Sequence, residues 1–548
     1  MADAEARFRT KLSKQSRTLK AAVAEYRRRY KRDPPLGFDA WWAFAQENGV
    51  KLVDEYDGLV ADLEPFWALT GRQVRDRAAE AGRFPFINLV RIMNGQADAF
   101  NAQAGADSED IQGRAAAFVS LVKRHAHLLP DMIMPVNSRG EGRVLVPWDH
   151  REDPAAHPAS PSYQELIPDW RGDGNVWEAF RRSCDPSSPS RKLYSALRPS
   201  NLVTNSTPSL KTTLQFHPGD SITSFCQIPW AHYTQGHFFS DWRTITGLYP
   251  IFSAARAPGF SDIRIPSHYY YWPTFRHTYG FDPVNLVVKE HDDTETPWEL
   301  KTNKIYWRGP TTGGGGNPPG HAHQFHRHRF LRMSSSNSTS NTSLVFADPP
   351  SSSNWVSAHV PIGELNKEIM DAAFVKDVYA DVYPGGLEAL HADHRWDDAV
   401  SLGEHWRHKY LLDMDGMGYS AKFFAILESD SAALKATIYE EFYSDWIQPW
   451  LHFIPLSPFY QEVYNIHAFF SGPTEAAALA ANASATYTPP DPYRPTDGDK
   501  RLRRIARAGK QWKRTIGREV DMEAYVFRLC LEFARISSDD RDAMSYKS

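Results

Sequence analysis

The chain has 548 residues. At roughly 150 residues per domain, that is room for about three to four domain-sized units or two large lobes, and it excludes a small disulfide scaffold. With 42% hydrophobic and 23% charged residues, the chain buries a core and is not globally disordered. Its 62 basic side chains against 66 acidic ones give a net charge of −4, which leaves no basic excess to neutralise phosphates and argues against a nucleic-acid partner.

In chain order, residues 4–30 are charged and Ala-rich and read as one exposed helix, stopped by Pro34-Pro35. Phe38, Trp41, Trp42, Phe44 and Ala45 recur at helical spacing. Helical patterns continue from Leu52 to Leu69 and on to about residue 128. The texture changes at Pro130. Met132 to Val136 and Val144-Leu145-Val146 read as strands, and residues 150–230 as long excursions rich in Pro, Ser and Asn. Asn285-Leu286-Val287-Val288 and Lys304-Ile305-Tyr306-Trp307 are further strand patterns. The Ser/Asn-rich stretch 333–353 reads as a mobile loop. From Tyr410 the order is strand, glycine turn, helix. Residues 499–518 are basic, and 520–535 form an amphipathic helix with Val520, Ala524, Phe527 and Leu531 on one face. Strands alternating with helices give an α/β fold with parallel sheets. No stretch of 18 or more apolar residues is present to span a membrane, and the N-terminus has no apolar signal core. Cys184, Cys226 and Cys530 allow one bridge and a free thiol but define no framework. Asn205, Asn337, Asn341 and Asn482 each begin an N-glycosylation sequon.

Five segments are candidates to carry chemistry. The strand ending in Asp413-Met-Asp415 runs into Gly416-Met-Gly418-Tyr-Ser420-Ala-Lys422-Phe423. Glycines admit a phosphate to a helix N-terminus, with Ser420 and Lys422 as added donors; by spacing alone the turn reads first as a structural βα turn. Asp413 and Asp415 also form the acid pair that can hold a divalent cation on a diphosphate. The strand ending at Arg308-Gly309-Pro-Thr311-Thr312 delivers a guanidinium fork beside a flexible loop, suited to pyrophosphate or to an ordinary surface position. His321, His323, His326 and His328 read as an exposed histidine-rich loop rather than a metal site, since no cysteine or carboxylate lies among them. Asp262 through Trp272 is an aromatic stretch that lines a sugar groove or packs a core. Glu440 through Phe453 sets carboxylates and a histidine beside Pro449 and Trp450.

Taken in order, Asp33-Pro-Pro-Leu-Gly-Phe-Asp-Ala-Trp41, Trp307-Arg-Gly309, Asp415-Gly-x-x-x-Ser420-x-Lys422-Phe423, Glu441-Phe442, Pro449-Trp450-x-His452 and Tyr525-x-x-Arg528-Leu-x-Leu-Glu532-x-Ala-Arg535 resemble glycosyltransferase family 90. The resemblance runs from about residue 24 to 535 and is nearest the family's fungal branch. It implies an α/β fold of two Rossmann-like lobes of the GT-B type, with a helical N-terminal extension and C-terminal helices. The division it implies is a helical region over 1–129, an acceptor-side lobe over 130–280, a donor lobe over 281–480 and a C-terminal helical segment over 481–548.

The implied activity is inverting transfer from a UDP-sugar, xylose first among the candidates, to a mannose-containing glycan. No metal or other cofactor is required. The expected setting is the secretory pathway, the Golgi lumen, with the family's usual N-terminal anchor expected to be missing here. By the resemblance, Arg308, Gly309, Thr311, Thr312, Asp415, Gly416, Ser420, Lys422 and Glu441 bind the donor, Glu441 through its ribose. The family's catalytic acid falls on Gly140, which leaves the neighbouring Glu141 as base, with Asp131 and Asp262 next in line. An acceptor hydroxyl needs such a carboxylate to take its proton, and cationic donors can stabilise the leaving diphosphate without a metal. A metal-dependent transferase using Asp413 and Asp415, and a catalytically weak glycan- or nucleotide-binding relative, are the competing classes.

Overall fold

The computed structural model describes residues 1–100, 109–155, 176–192, 216–219, 224–239, 244–272, 281–282, 287–288, 295–314, 320–350, 352–378, 380–483, 491 and 493–547. The sequon at Asn205 and the strand residues Asn285 and Leu286 lie outside them.

The described strands are β1 (Ile87–Met93), β2 (Gln96–Ala99), β3 (Met132–Asn137), β4 (Phe252–Ser253), β5 (Ala255–Arg256), β6 (Ile263–Arg264), β7 (Phe281–Asp282), β8 (Val287–Val288), β9 (Thr302–Pro310), β10 (Asn341–Ala347), β11 (Trp355–Pro361), β12 (Met370–Lys376), β13 (His408–Met414), β14 (Ala432–Ala436), β15 (Glu440–Glu441) and β16 (Ile454–Pro455). Two five-stranded sheets organise the molecule, ordered β2-β1-β3-β4-β6 and β12-β9-β13-β14-β16.

The second sheet is parallel throughout. A parallel sheet is covered on both faces, so its central strands are apolar; Tyr410–Met414 and Ala432–Ala436 are buried at every position. Taken by chain order, its strands run second, first, third, fourth, fifth, so the winding reverses between β9 and β13. The first sheet is mixed. β1 is antiparallel to β2 and β3, and the parallel part is β3 with the two-residue strands β4 and β6. β5 pairs antiparallel with β15, Ala255 opposite Glu441, and so ties the first sheet's side to the second's.

Several expectations change. Residues 4–30 form two helices, Ala2–Ser13 and Leu19–Tyr30, because Thr18 accepts from Ala21 N at 3.2 Å and starts a new one. The second is not simply exposed, since Ala22, Val23 and Tyr26 are buried. The region read as helical to residue 128 contains β1 and β2, whose alternating apolar residues pair onto β3. Val144 makes a single bridge to Ile245 instead of a strand. The stretch 333–353 holds β10, because Leu344, Val345 and Phe346 pair with β11 in register and are buried. The helix Glu519–Ile536 is buried on every side from Ala524 onward, not amphipathic. It lies between the N-terminal helices and the first sheet: Trp41 Nε1 donates to Ala524 O at 2.9 Å, and Phe252 of β4 meets Phe533 edge-on. Its buried Glu532 is paired with Arg528 and Arg535 of the same helix and accepts from Tyr26.

Candidate active site

In an open parallel sheet, ligands bind beyond the carboxyl ends of the strands where the winding reverses. Here that point is the loop after β9, Thr311–Gly314, and the turn after β13, Asp415–Lys422. The first sheet's side reaches the same place. A Cβ added to Gly418 would lie 2.5 Å from Gly140 O, so the loop after β3 rests directly on the glycine turn. Glycine at 418 is what permits the approach.

Beneath the turn lies a buried polar network. Asp413 accepts from Ser420 Oγ, and its other oxygen receives Lys435 Nζ at 2.8 Å. Lys435 stands opposite Asp413 on β14, also lies 3.6 Å from Glu441 Oε1, and sits over the Phe423 ring. Glu441 is buried, with Tyr443 donating to Oε1 and Tyr270 to Oε2, each at 2.5 Å. Burial pushes the Glu441 carboxyl up, against the pull of Lys435 and the two phenols.

Asp415 turns away from the turn. Thr437 Oγ1 and Ile438 N donate to its two oxygens at 2.7 and 2.8 Å, and burial pushes its carboxyl up to about 7. Its carbonyl accepts from His326 Nε2 and Arg327 Nε, both at 2.8 Å. Lys422 precedes the short helix Phe423–Leu427 and donates to Arg308 O at 2.6 Å; burial, then Arg327, pushes it down to about 8. Arg308 contributes this carbonyl to the site, while its guanidinium pairs with Asp371 and Asp397 at 2.8 and 2.6 Å. Thr311 Oγ1 is held by Val378, and Thr312 Oγ1 by Arg327 Nη1. Gly309 leaves no room for a side chain, since an added Cβ would stand 2.5 Å from the Trp307 ring.

The three candidate bases separate. Glu141 lies in the loop that touches Gly418, and its Oε2 is buried without a hydrogen-bond partner. Burial pushes its carboxyl up; its own amide and the guanidinia of Arg114, Arg139 and Arg143 pull it down. Asp262 is buried and saturated by Ser253 Oγ, Arg143 N and Val144 N, so it braces the loop that carries Glu141. Asp131 precedes β3 at the strand's other end, where it is exposed and accepts from Asn94 N.

The histidine run is not an exposed loop. His326 and His328 are buried in the helix His326–Met333, where His328 packs against Phe374, Tyr383 and His394. No group of three or more His, Cys, Asp or Glu is arranged to hold a metal among the described residues. Sequence reasoning also passed over Arg327, which clamps both loops of the switch point, and Lys435. Lys435 had a signal: a lone lysine inside the apolar run Ala432–Ala436 needs a buried acid beside it.

Residues 358–486 match the family model described as Glycosyl transferase family 90. The matched stretch contains the Asp413–Lys422 turn, Lys435 and Glu441; Glu141 and Arg308 lie outside it. The α/β chain therefore carries a glycosyltransferase region similar to glycosyltransferase family 90, the family its ordered motifs resemble.

Proposed function

We propose that the protein is an inverting, UDP-sugar-dependent transferase that builds a β-linkage onto a mannose-containing glycan, with xylose the first candidate sugar and with no metal. One observation carries the reading: a carboxylate with a partnerless oxygen, Glu141 Oε2, lies in the loop seated on the glycine turn at the switch point of a parallel sheet. Donor and base then come from different sheets, as in a two-lobed GT-B arrangement. The donor diphosphate lies over the Thr311–Gly314 loop and the Asp415–Lys422 turn, and Glu441 takes the ribose. Glu141 removes the acceptor proton as the hydroxyl attacks the anomeric carbon from the face opposite UDP. Lys422 and Arg327 are the nearest cations for the charge that develops on the leaving diphosphate.

The oxygens of Asp413 and Asp415 are taken by Ser420, Lys435, Thr437 and Ile438, which supports charge stabilisation without a cation between them. The Cys184–Cys226 bridge and the exposed sequon residues Asn337, Asn341 and Asn482 support an oxidising, glycosylating compartment, which we take to be the Golgi lumen. No helix among the described residues is long and apolar enough to cross a membrane. The test is a panel of UDP-sugars with mannosides as acceptors, with and without chelator. A β-linked product from one UDP-sugar is expected; no transfer from any member of the panel would remove the reading.

A further inference from the structure

Two buried histidines have ring nitrogens with no partner, and both border the loop after β9. His326 is 3% exposed. Its Nε2 donates to Asp415 O at 2.8 Å, which leaves Nδ1 as an acceptor, and Nδ1 is buried without a hydrogen bond. A Cβ added to Gly313 would lie 3.2 Å from its ring. His237 is 5% exposed, and its Nε2 is likewise buried and unpartnered.

His237 arrives from a separate part of the chain, the segment 224–239. That segment is bridged to residues 176–192 by Cys184–Cys226 and by Ser190 Oγ donating to Phe225 O at 2.6 Å. It is seated on the donor loop so closely that a Cβ on Gly236 would stand 1.6 Å from Gly313 O. Gly236 thus sets its neighbour His237 beside the loop, with the ring against Phe225 and Phe238. Its ring centroid lies 5.9 Å from that of Tyr439, which in turn feels the charges of Asp415 and Glu141. The phenol of Tyr439 is already used, donating to Met417 O at 2.7 Å.

An unpartnered buried polar atom costs free energy unless a ligand or water completes it, and two beside one loop need a common explanation. On the function proposed above, the space between the Gly313 loop and Glu141 is where the sugar being transferred lies. We propose that His237 and His326 are specificity-determining residues that hydrogen-bond the hydroxyls of the donor's sugar ring rather than its nucleotide. Burial keeps both imidazoles neutral, each pushed down to about 3. A neutral imidazole accepts from or donates to a hydroxyl, and it adds no charge for a diphosphate.

The experiment compares affinities for UDP and for UDP-xylose, UDP-glucose, UDP-galactose and UDP-N-acetylglucosamine by calorimetry, in wild type and in His237→Phe. Phenylalanine keeps the ring contacts and removes both nitrogens. The expected result is unchanged UDP affinity and a loss of about tenfold, or about 1.4 kcal/mol, for the UDP-sugar that wild type prefers. His237→Asn, which restores a polar group without the ring, serves where the first variant does not fold; His326→Phe should lose the same UDP-sugar and, because it also removes the bond to Asp415 O, some UDP affinity with it. Equal affinities of wild type and variant for that UDP-sugar, or a wild type that binds none more tightly than UDP, would overturn the subsite while leaving the donor reading intact. A wild type that binds neither UDP nor any UDP-sugar would overturn both.

Discussion

Tyr270 donates its phenol to Glu441 Oε2 at 2.5 Å, and this bond joins the turn His268–Tyr270, beside the first sheet, to β15, beside the second. The adjoining β5–β15 pair makes the same connection through the backbone. Glu441 is therefore both a donor-site candidate and part of what holds the two sides together.

Tyr270→Phe removes one hydrogen bond to a buried carboxylate and leaves the ring stacked on Phe424. A hydrogen bond to a charged group is worth about 1.5–3 kcal/mol. The expected outcome is a loss of that size in urea unfolding. Glu441→Gln should in addition weaken UDP binding; if it leaves UDP affinity at the wild-type value, Glu441 does not hold the nucleotide.

Lys435 and Asp413 form a buried pair across β13 and β14. Lys435→Met strands Asp413 as a buried charge, which costs about 3–5 kcal/mol. Replacing both residues, Lys435→Met with Asp413→Leu, should recover part of that loss, because Asp413 no longer brings a buried charge, while Glu441 still loses the cation 3.6 Å from its Oε1. A single variant as stable as wild type would mean the pair is not buried as described.

EDTA should leave turnover unchanged. The carboxylate oxygens of Asp413 and Asp415 are bonded to protein donors, so a cation between them would have to displace Lys435 or Thr437. Loss of activity in chelator, restored by Mn²⁺ and abolished in Asp415→Ala, would refute the metal-free mechanism.

Local chemistry made part of this legible in the sequence. The run Tyr410–Met414 followed by Gly416 and Gly418 marks a buried strand and a turn, and that is what the chain forms. What decides the site's interior is tertiary. Asp413 and Lys435 are 22 residues apart and meet only through parallel register. His237 lies beside the Thr311–Gly314 loop because Gly236 fits against Gly313, a contact with no trace in either local pattern. The Ser/Asn composition of 333–353 hid β10 because its three buried residues are outnumbered by polar neighbours that face out or form turns. Glu141 stood out through the family resemblance alone; its surroundings in sequence, Gly140 and Gly142, describe only a loop.

The last prediction concerns Glu141. If it is the base, the reacting form is the carboxylate, so activity is lost as pH falls through its pKa. Burial raises that pKa above the ordinary value of 4.5, so the acidic limb of kcat/KM should lie above 4.5. Arg114, Arg139 and Arg143 oppose the rise, while Tyr419 and Tyr439 border the same space from the second sheet's side. Arg114 approaches from the helix Glu109–Lys123, its Nη2 3.9 Å from where a Gly140 side chain would begin. Removing that cation disfavours the ionised carboxylate, so Arg114→Gln should move the limb to higher pH. Glu141→Gln keeps the size of the side chain but cannot take the proton; turnover should fall by roughly 10²–10⁴, with UDP affinity unchanged because the proposed donor contacts lie on the other sheet. Single-turnover transfer with saturating donor and acceptor reads the step directly. A Glu141→Gln enzyme with the wild-type rate and the wild-type limb would take the role away from Glu141. Neither Asp262, whose oxygens are already filled by Ser253, Arg143 and Val144, nor Asp131, at the far end of β3, is placed to inherit it.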